Sequence, residues 1–387
     1  MKFNCKKINL KEAISQVERI VSKQPSLPIL SNILIKTQKG RLLIASTNLE
    51  IAIETYIGAK IEKEGEITVP AKMLNGFLSG VKDEIIKGEL VDNDLKITTQ
   101  NHSMKIRGMD ANDYPIIPEF PSEHFFELKT EDLINTIPIV LSSVAHNDTR
   151  QELNGIYMEM SEDQIILAST DSCRLSEAAV RLDKSKNSEE FKAFLGSNNS
   201  VIAPSIAFSE LQRVLTGDSF KVVISQNQLF LKSNTVKIIS RLINGNYPDY
   251  KQILPEKYSI ELVLNKEEFL SALKIALLVS SDGDGEVILK KESNKKESKE
   301  DTLEILSQSS EAGENKSALK MESKGDDFEV VFNCRFLIDG LNVVKSFNEN
   351  IVLKLNQQKS PALIRGFNKN NKENPDYSYI VMPIVKD

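Results

Sequence analysis

Cys173 is the residue whose type is best suited to covalent chemistry. It follows Asp171, and His146 lies upstream, so a thiol with an imidazole base is conceivable as a cysteine hydrolase. No oxyanion-hole element accompanies them in the sequence. A small cysteine at a strand end explains Cys173 as well. Cys5, Cys173 and Cys334 are far apart and form no C-x-x-C, so neither a disulfide framework nor a zinc ribbon is expected. His102, His124 and His146 form no H-E-x-x-H, and the chain has neither a G-x-G-x-x-G nor a G-x-x-x-x-G-K-[ST] phosphate loop. The acidic residues single out no acid/base pair. The expectation is a protein with no catalytic residue, no metal site and no cofactor.

The elements around these residues carry more information, because they recur. Leu10, Ala13, Ile14, Val17, Ile20 and Val21 form one apolar stripe at helical spacing. Leu133, Ile134, Ile137, Leu141 and Val144 form a second, interrupted by Pro138, which is expected to kink or delay the helix. Phe269, Leu270, Leu273, Leu277 and Leu278 form a third. Each leads into strand-like runs. ILSNILIKT and LLIASTNLEIAIE follow the first stripe, LNGIYMEM and QIILASTDSCRLSEAAV the second, EVILKKE and a diverged DTLEILSQSSEA the third. A second helix follows in each copy, in ITVPAKMLNGFLSGV, VIAPSIAFSELQRVL and VVFNCRFLIDGLNVV. Closing hairpins run into Asp113-Tyr114-Pro115, Asn246-Tyr247-Pro248 and Asp376-Tyr377. Pro70 to Pro204 is 134 residues and Tyr114 to Tyr247 is 133, a module-sized period. Three modules of two helices and β structure are therefore expected, over 1–122, 123–254 and 255–387, with Pro-containing junctions. The charged stretch at 290–301 is read as a solvated edge hairpin.

A chain of 387 residues, 40% hydrophobic and 27% charged, can bury several cores and is no disordered tail. No apolar run approaches the ~18 residues of a membrane helix, and the lysines near the N-terminus precede no apolar stretch. A cytoplasmic protein without membrane partners is expected. The net charge, 49 − 55 = −6, is wrong in sign for a simple basic DNA-binding domain, but a locally basic surface can exist within it.

The motifs LPILSNILI, TDSCRL, NGNYPDYKQILP and YIVMP, in this order and spacing, closely resemble the β sliding clamps of bacterial DNA polymerase III, and the resemblance spans essentially the whole chain. It implies an α+β fold: three tandem repeats of a DNA-clamp module, two helices on a curved antiparallel sheet, with two chains closing a six-module ring. The implied function is a homodimeric sliding clamp. It would encircle duplex DNA without sequence specificity and confer processivity. Its implied partners are the polymerase III catalytic subunit, clamp-loader subunits and other clamp-motif proteins.

The same resemblance implies site residues. The partner-peptide pocket maps onto Leu153, Thr170, Ser172, Cys173, Arg174, Leu175, Pro248, Gln252, Ile253, Ile380, Val381, Met382, Pro383 and Ile384. Ser172 and Cys173 stand where the family usually has Gly-His, and Gln252 stands where it has Arg. DNA-facing residues map onto Lys23, Gln24, Asn147 and Gln151, with Lys72 and Lys82 as lining charges on the second helix. The ring interface maps onto Met104 and Ile106 against Leu277 and Leu278 of the other chain. The alternative reading is a non-encircling scaffold of the same repeats that binds replication-protein peptides.

Overall fold

A computed structural model of the chain describes residues 1–21, 27–121, 125–146, 148–195, 199–225, 227–280, 285–292, 301–356 and 360–385. In the first module the elements are β1 (Lys2–Lys6), α1 (Lys7–Val17), β2 (Asn32–Gln38), β3 (Arg41–Thr47), β4 (Ile51–Gly58), β5 (Lys60–Lys63), β6 (Glu66–Pro70), α2 (Ala71–Gly80), β7 (Ile85–Val91), β8 (Asp94–Thr98) and β9 (Ser103–Arg107). The second has β10 (Phe126–Lys129), α3 (Thr130–Leu141), β11 (Gly155–Met160), β12 (Gln164–Thr170), β13 (Arg174–Arg181), α4 (Glu189–Leu195), β14 (Ser200–Pro204), α5 (Ser205–Val214), β15 (Ser219–Ser225), β16 (Gln228–Lys232) and β17 (Val236–Arg241). The third has β18 (Ile260–Asn265), α6 (Lys266–Ser280), β19 (Glu286–Lys291), β20 (Asp301–Ser309), β21 (Gly313–Lys324), β22 (Phe328–Asn333), α7 (Cys334–Val343), β23 (Asn350–Leu355), β24 (Ala362–Gly366) and β25 (Tyr377–Val381).

The chain groups into two compact units, 1–131 with 182–199 and 206–242, and 132–181 with 200–205 and 243–387. The first unit holds two sheets, ordered β5-β1-β7-β8-β9 and β10-β15-β16-β17-β4-β3-β2-β6. Here the second module's last strand, β17, pairs antiparallel with the first module's β4, Ile238 opposite Ile53 and Ile239 opposite Ala52.

The second unit is built on one sheet, β14-β11-β12-β13-β25-β24-β23-β18-β21-β20-β19-β22. The junction rule repeats: the third module's last strand, β25, pairs with the second module's β13, Leu175 opposite Ile380. β21 is the third module's version of β4 and β5 fused. Its final residues pair with β18 as β5 pairs with β1, and its other edge pairs with β20 as β4 pairs with β3.

Apolar spacing decides which helix faces are buried. Leu10, Ala13, Ile14 and Val17 are buried on α1, Leu74 and Leu78 on α2, Leu337 and Leu341 on α7. Asn333 caps α7, its Oδ1 accepting from Arg335 N at 3.0 Å. Asn265 caps α6, accepting from Glu267 N and Glu268 N at 3.1 Å each, with both glutamates in the first turn where the helix dipole favours them. α7 can lie against β25 because residue 340 is Gly: a Cβ there would stand 2.4 Å from Tyr379 Cδ1.

Several expectations are corrected. Pro138 does not delay its helix; α3 begins at Thr130 and runs through it, with Ile134 on the exposed side rather than in the buried stripe. The strands flanking the charged stretch do form an antiparallel pair, Lys291 opposite Leu303, but β19 and β20 lie inside the sheet, not at its edge. Residues 293–300 of that stretch lie outside the described residues. Among the described residues α4 has no counterpart in the other two modules.

Candidate partner and nucleic-acid surfaces

The β13–β25 junction assembles most of the expected pocket residues within the second unit. Leu175 and Ile380 face each other and pack with Ala168, Tyr250 and Leu363 in one buried cluster, with Tyr157, Tyr247, Leu254 and Tyr258 partly buried against it. The aromatic side is ordered by ring contacts. Tyr157 stacks on Tyr247 at 5.1 Å between centroids and meets Tyr250 edge-on at 6.3 Å. Tyr250 donates to Glu177 Oε2 at 2.6 Å. Burial first, then the Glu177 carboxylate, pushes its phenol far above the ordinary range, so it remains a donor.

The turn from β12 to β13 adjoins this cluster. Thr170 Oγ1 accepts from Ser172 N at 3.1 Å and donates to Arg174 O at 2.7 Å. Asp171 Oδ1 accepts from Cys173 N at 3.0 Å and Arg174 N at 2.9 Å. Ser172 sits in the left-handed region, φ 75°, which explains why glycine suits this place. The C-terminal tail runs beside that turn. Met382 N donates to Cys173 O and Ile384 N to Val331 O, both at 2.8 Å, so the tail bridges the turn and β22. Met382, Pro383 and Ile384 are half-buried; Pro248, Gln252 and Ile253 are exposed, Ile253 by 53%. Leu153 and Val381 are fully buried and offer no surface to a ligand.

Arg174 departs most from the expected role. Its side chain is 13% exposed and turned away from solvent. It pairs with Asp171 Oδ2 at 3.0 Å and Asp339 Oδ2 at 2.5 Å, and its guanidinium carbon lies 4.5 Å from the centre of the Phe336 ring. Tyr379 Oη donates to Phe336 O at 2.8 Å beside it. Arg174 thus ties the turn of the second module to α7 of the third. Sequence reasoning missed Asp339 and Phe336 because no local signal links residues so far apart in the chain.

Cys173 is exposed, but partial burial and then the Asp171 carboxylate hold its thiol above the ordinary value. A nucleophilic cysteine needs the reverse, a stabilised thiolate. Among the described residues no group of three or more His, Cys, Asp or Glu side chains is placed to hold a metal ion. No described helix is long and apolar enough to cross a membrane.

Of the residues expected to face DNA, Lys23, Gln24 and Asn147 lie outside the described residues, while Gln151, Lys72 and Lys82 are exposed. Lys72 is on α2, but Lys82 lies beyond its end, which corrects its expected placement on the helix. At the expected ring interface Met104 is half-buried and Leu278 is 74% exposed, on α6. Leu277 is partly buried. Ile106 is turned into its own sheet's core opposite Leu95, so at the outer edge it offers backbone and not side chain.

Comparison with known proteins matches this arrangement from end to end. Family models for the DNA polymerase III beta subunit match the chain in three parts: the N-terminal domain over residues 1–118, the central domain over 127–249 and the C-terminal domain over 251–385. The beta sliding clamp of Synechococcus elongatus is 27% identical over 99% of both chains, and that of Bacillus subtilis is 26% identical over 94% of this chain and 96% of its own. Among solved structures, the sliding clamp from Bacillus subtilis matches with a TM-score of 0.89 at 24% identity over 100% of both chains. The DNA polymerase III beta subunit from Thermotoga maritima matches with 0.87 at 25% identity, again over 100% of both. Through all three of its modules, the chain belongs to the DNA polymerase III beta subunit family, the sliding clamps.

Proposed function

We propose that two copies of this chain join head to tail into a ring that encircles duplex DNA and tethers a replicative polymerase to it, without an active site of its own. The observation that carries this reading is the repeated junction. The last strand of each later module pairs with the fourth strand of the module before it, β17 with β4 and β25 with β13. By the same rule the first module's last strand, β9, seeks the third module's β21. Among the described residues both strands keep an unpaired edge: β9 ends its sheet, and beyond its last residues β21 pairs with β20 alone. A second copy supplies each with its partner, and the contact closes because every module-to-module step is alike. Leu278 would pack at this contact. Module limits near residues 122 and 254 are part of the same reading.

The β13–β25 groove is the proposed docking place for short Gln- and Leu-containing peptides of polymerase, clamp loader and repair proteins. Tyr247, Ile253, Met382 and Pro383 would provide the apolar contacts. A cytoplasmic location follows from the replication role.

Sedimentation tests the ring. The expected species at micromolar concentration has twice the 43.4 kDa chain mass, and Leu278→Asp shifts it to the single-chain mass while its circular dichroism spectrum stays that of the folded chain. An unsubstituted protein that sediments as a single chain throughout would contradict the ring and favour the scaffold reading.

A further inference from the structure

The proposed docking groove carries a charge of its own. Leu175 lies in the buried cluster and side chains alternate along a strand, so Glu177, two residues on, stands on the same face of β13. Glu177 is half-buried, and its Oε2 accepts from the Tyr250 hydroxyl at 2.6 Å. Asp249 precedes Tyr250 on the turn that presents Ile253. It is exposed, and its Oδ2 accepts from Gln252 Nε2 at 2.8 Å. Among the described residues neither carboxylate has a cation within ion-pair distance.

The cations nearby do not offset them, because each already has its own carboxylate. Lys251 is held by Glu159 Oε2 at 2.6 Å. Arg174 serves two carboxylates, Asp171 and Asp339. Arg150 pairs with Asp148 at 2.9 Å and reaches Ser172 Oγ at 3.1 Å. Farther along the sheet, Arg365 and Lys354 are balanced by Glu373 and Glu261. Around the groove three cations therefore stand against six carboxylates, a balance of −3. The apolar cluster beneath, low in dielectric, strengthens that field. A second observation is independent of charge. Tyr157, Tyr247, Tyr250 and Tyr258 belong to the cluster or pack on it, Tyr157 and Tyr247 with ring centroids 5.1 Å apart. The faces of such rings attract cations, and a guanidinium can also stack on them. Carboxylates set beside tyrosine rings suit a cationic ligand group.

We propose that the groove selects peptides in which arginine flanks the apolar anchors, with Glu177 and Asp249 as the contacting carboxylates. The inference rests on the docking reading of the groove and adds to it the charge of the partner. A peptide with acidic flanks meets like charge and is selected against. A single-stranded nucleic acid, with its negative phosphates, is disfavoured at the groove for the same reason.

The test is fluorescence anisotropy with three labelled Gln- and Leu-containing peptides. They are identical except that both residues flanking the apolar anchors are arginine, its neutral isostere citrulline, or aspartate. Exposed ion pairs contribute little each, so the arginine peptide is expected to bind about fivefold tighter than the citrulline peptide, and the aspartate peptide most weakly. Raising sodium chloride to about 0.5 M, where the screening length falls to about 4 Å, should close most of the gap. Glu177→Gln/Asp249→Asn is expected to bind the arginine and citrulline peptides alike, with the citrulline affinity of the unsubstituted protein, which reports an intact groove. Glu64→Gln/Asp92→Asn removes the same charge from exposed positions of the first unit and is expected to keep the preference. Equal affinity for the three peptides, or tightest binding of the aspartate one, would overturn the charge selection and leave the docking reading standing. So would loss of the preference in the first-unit control, which would reduce it to net charge. Absence of binding by every peptide would overturn the docking reading, and this inference with it.

Discussion

Arg174 shows how one side chain can support a proposed docking groove without facing a ligand. Its ion pairs with Asp171 and Asp339 and its place against Phe336 hold two modules in register. Breaking a buried pair costs about 3–5 kcal/mol, but Asp339 is nearly half exposed, which reduces its share. Arg174→Ala is therefore expected to destabilise the chain by about 2–3 kcal/mol in urea unfolding. Ser172 works in the opposite direction. A non-glycine residue in the left-handed region costs about 1–2 kcal/mol, partly offset by glycine's larger unfolded-state entropy. Ser172→Gly is expected to raise stability by about 0.5–1 kcal/mol. At Cys173, the raised thiol pKa implies alkylation by iodoacetamide more slowly than a free cysteine at neutral pH, read by mass spectrometry. Cys5 and Cys334, buried with thiols pushed up to about 12, should label only on unfolding.

At the scale of elements, the tail after β25 matters most to the proposed groove. Backbone hydrogen bonds from Met382 and Ile384 fix it, so removing side chains leaves its course intact. Met382→Ala with Pro383→Ala should weaken binding of a synthetic Gln- and Leu-containing peptide by at least about tenfold in calorimetry, close to 1.4 kcal/mol, while the dimer persists. The paired helices and the run of strands in each module were legible because apolar spacing is a local signal: Leu10, Ala13, Ile14 and Val17 are buried as that spacing requires. Leu175, Ile380 and Met382 were legible through motif resemblance. The joining of β13 to β25 was not, since backbone pairing between distant strands leaves no periodicity in either. Ile106 misled for a related reason. Strand alternation shows that a residue faces one side, not which side is outward. Pro138 misled because the loss of one donor, the N–H that would have bonded Ile134 O, does not end α3, which runs on to Leu141.

At the scale of the whole molecule, a negative net charge and DNA encirclement are compatible if the cations that matter face inward. An encircling protein gains processivity from topology, which makes polymerase release an intramolecular competition at high effective concentration. Tight, sequence-reading contacts of about 1–3 kcal/mol each would instead hold it at fixed sites. The central claim is therefore topological linkage. The most direct test loads the protein onto nicked circular DNA with its cognate ATP-driven loader, removes free protein, and compares retention before and after the circle is cut. Stable retention on the circle, lost once ends appear, is the expected result. Equal, weak binding to circle and linear DNA, with a known clamp and loader working in parallel, would contradict encirclement.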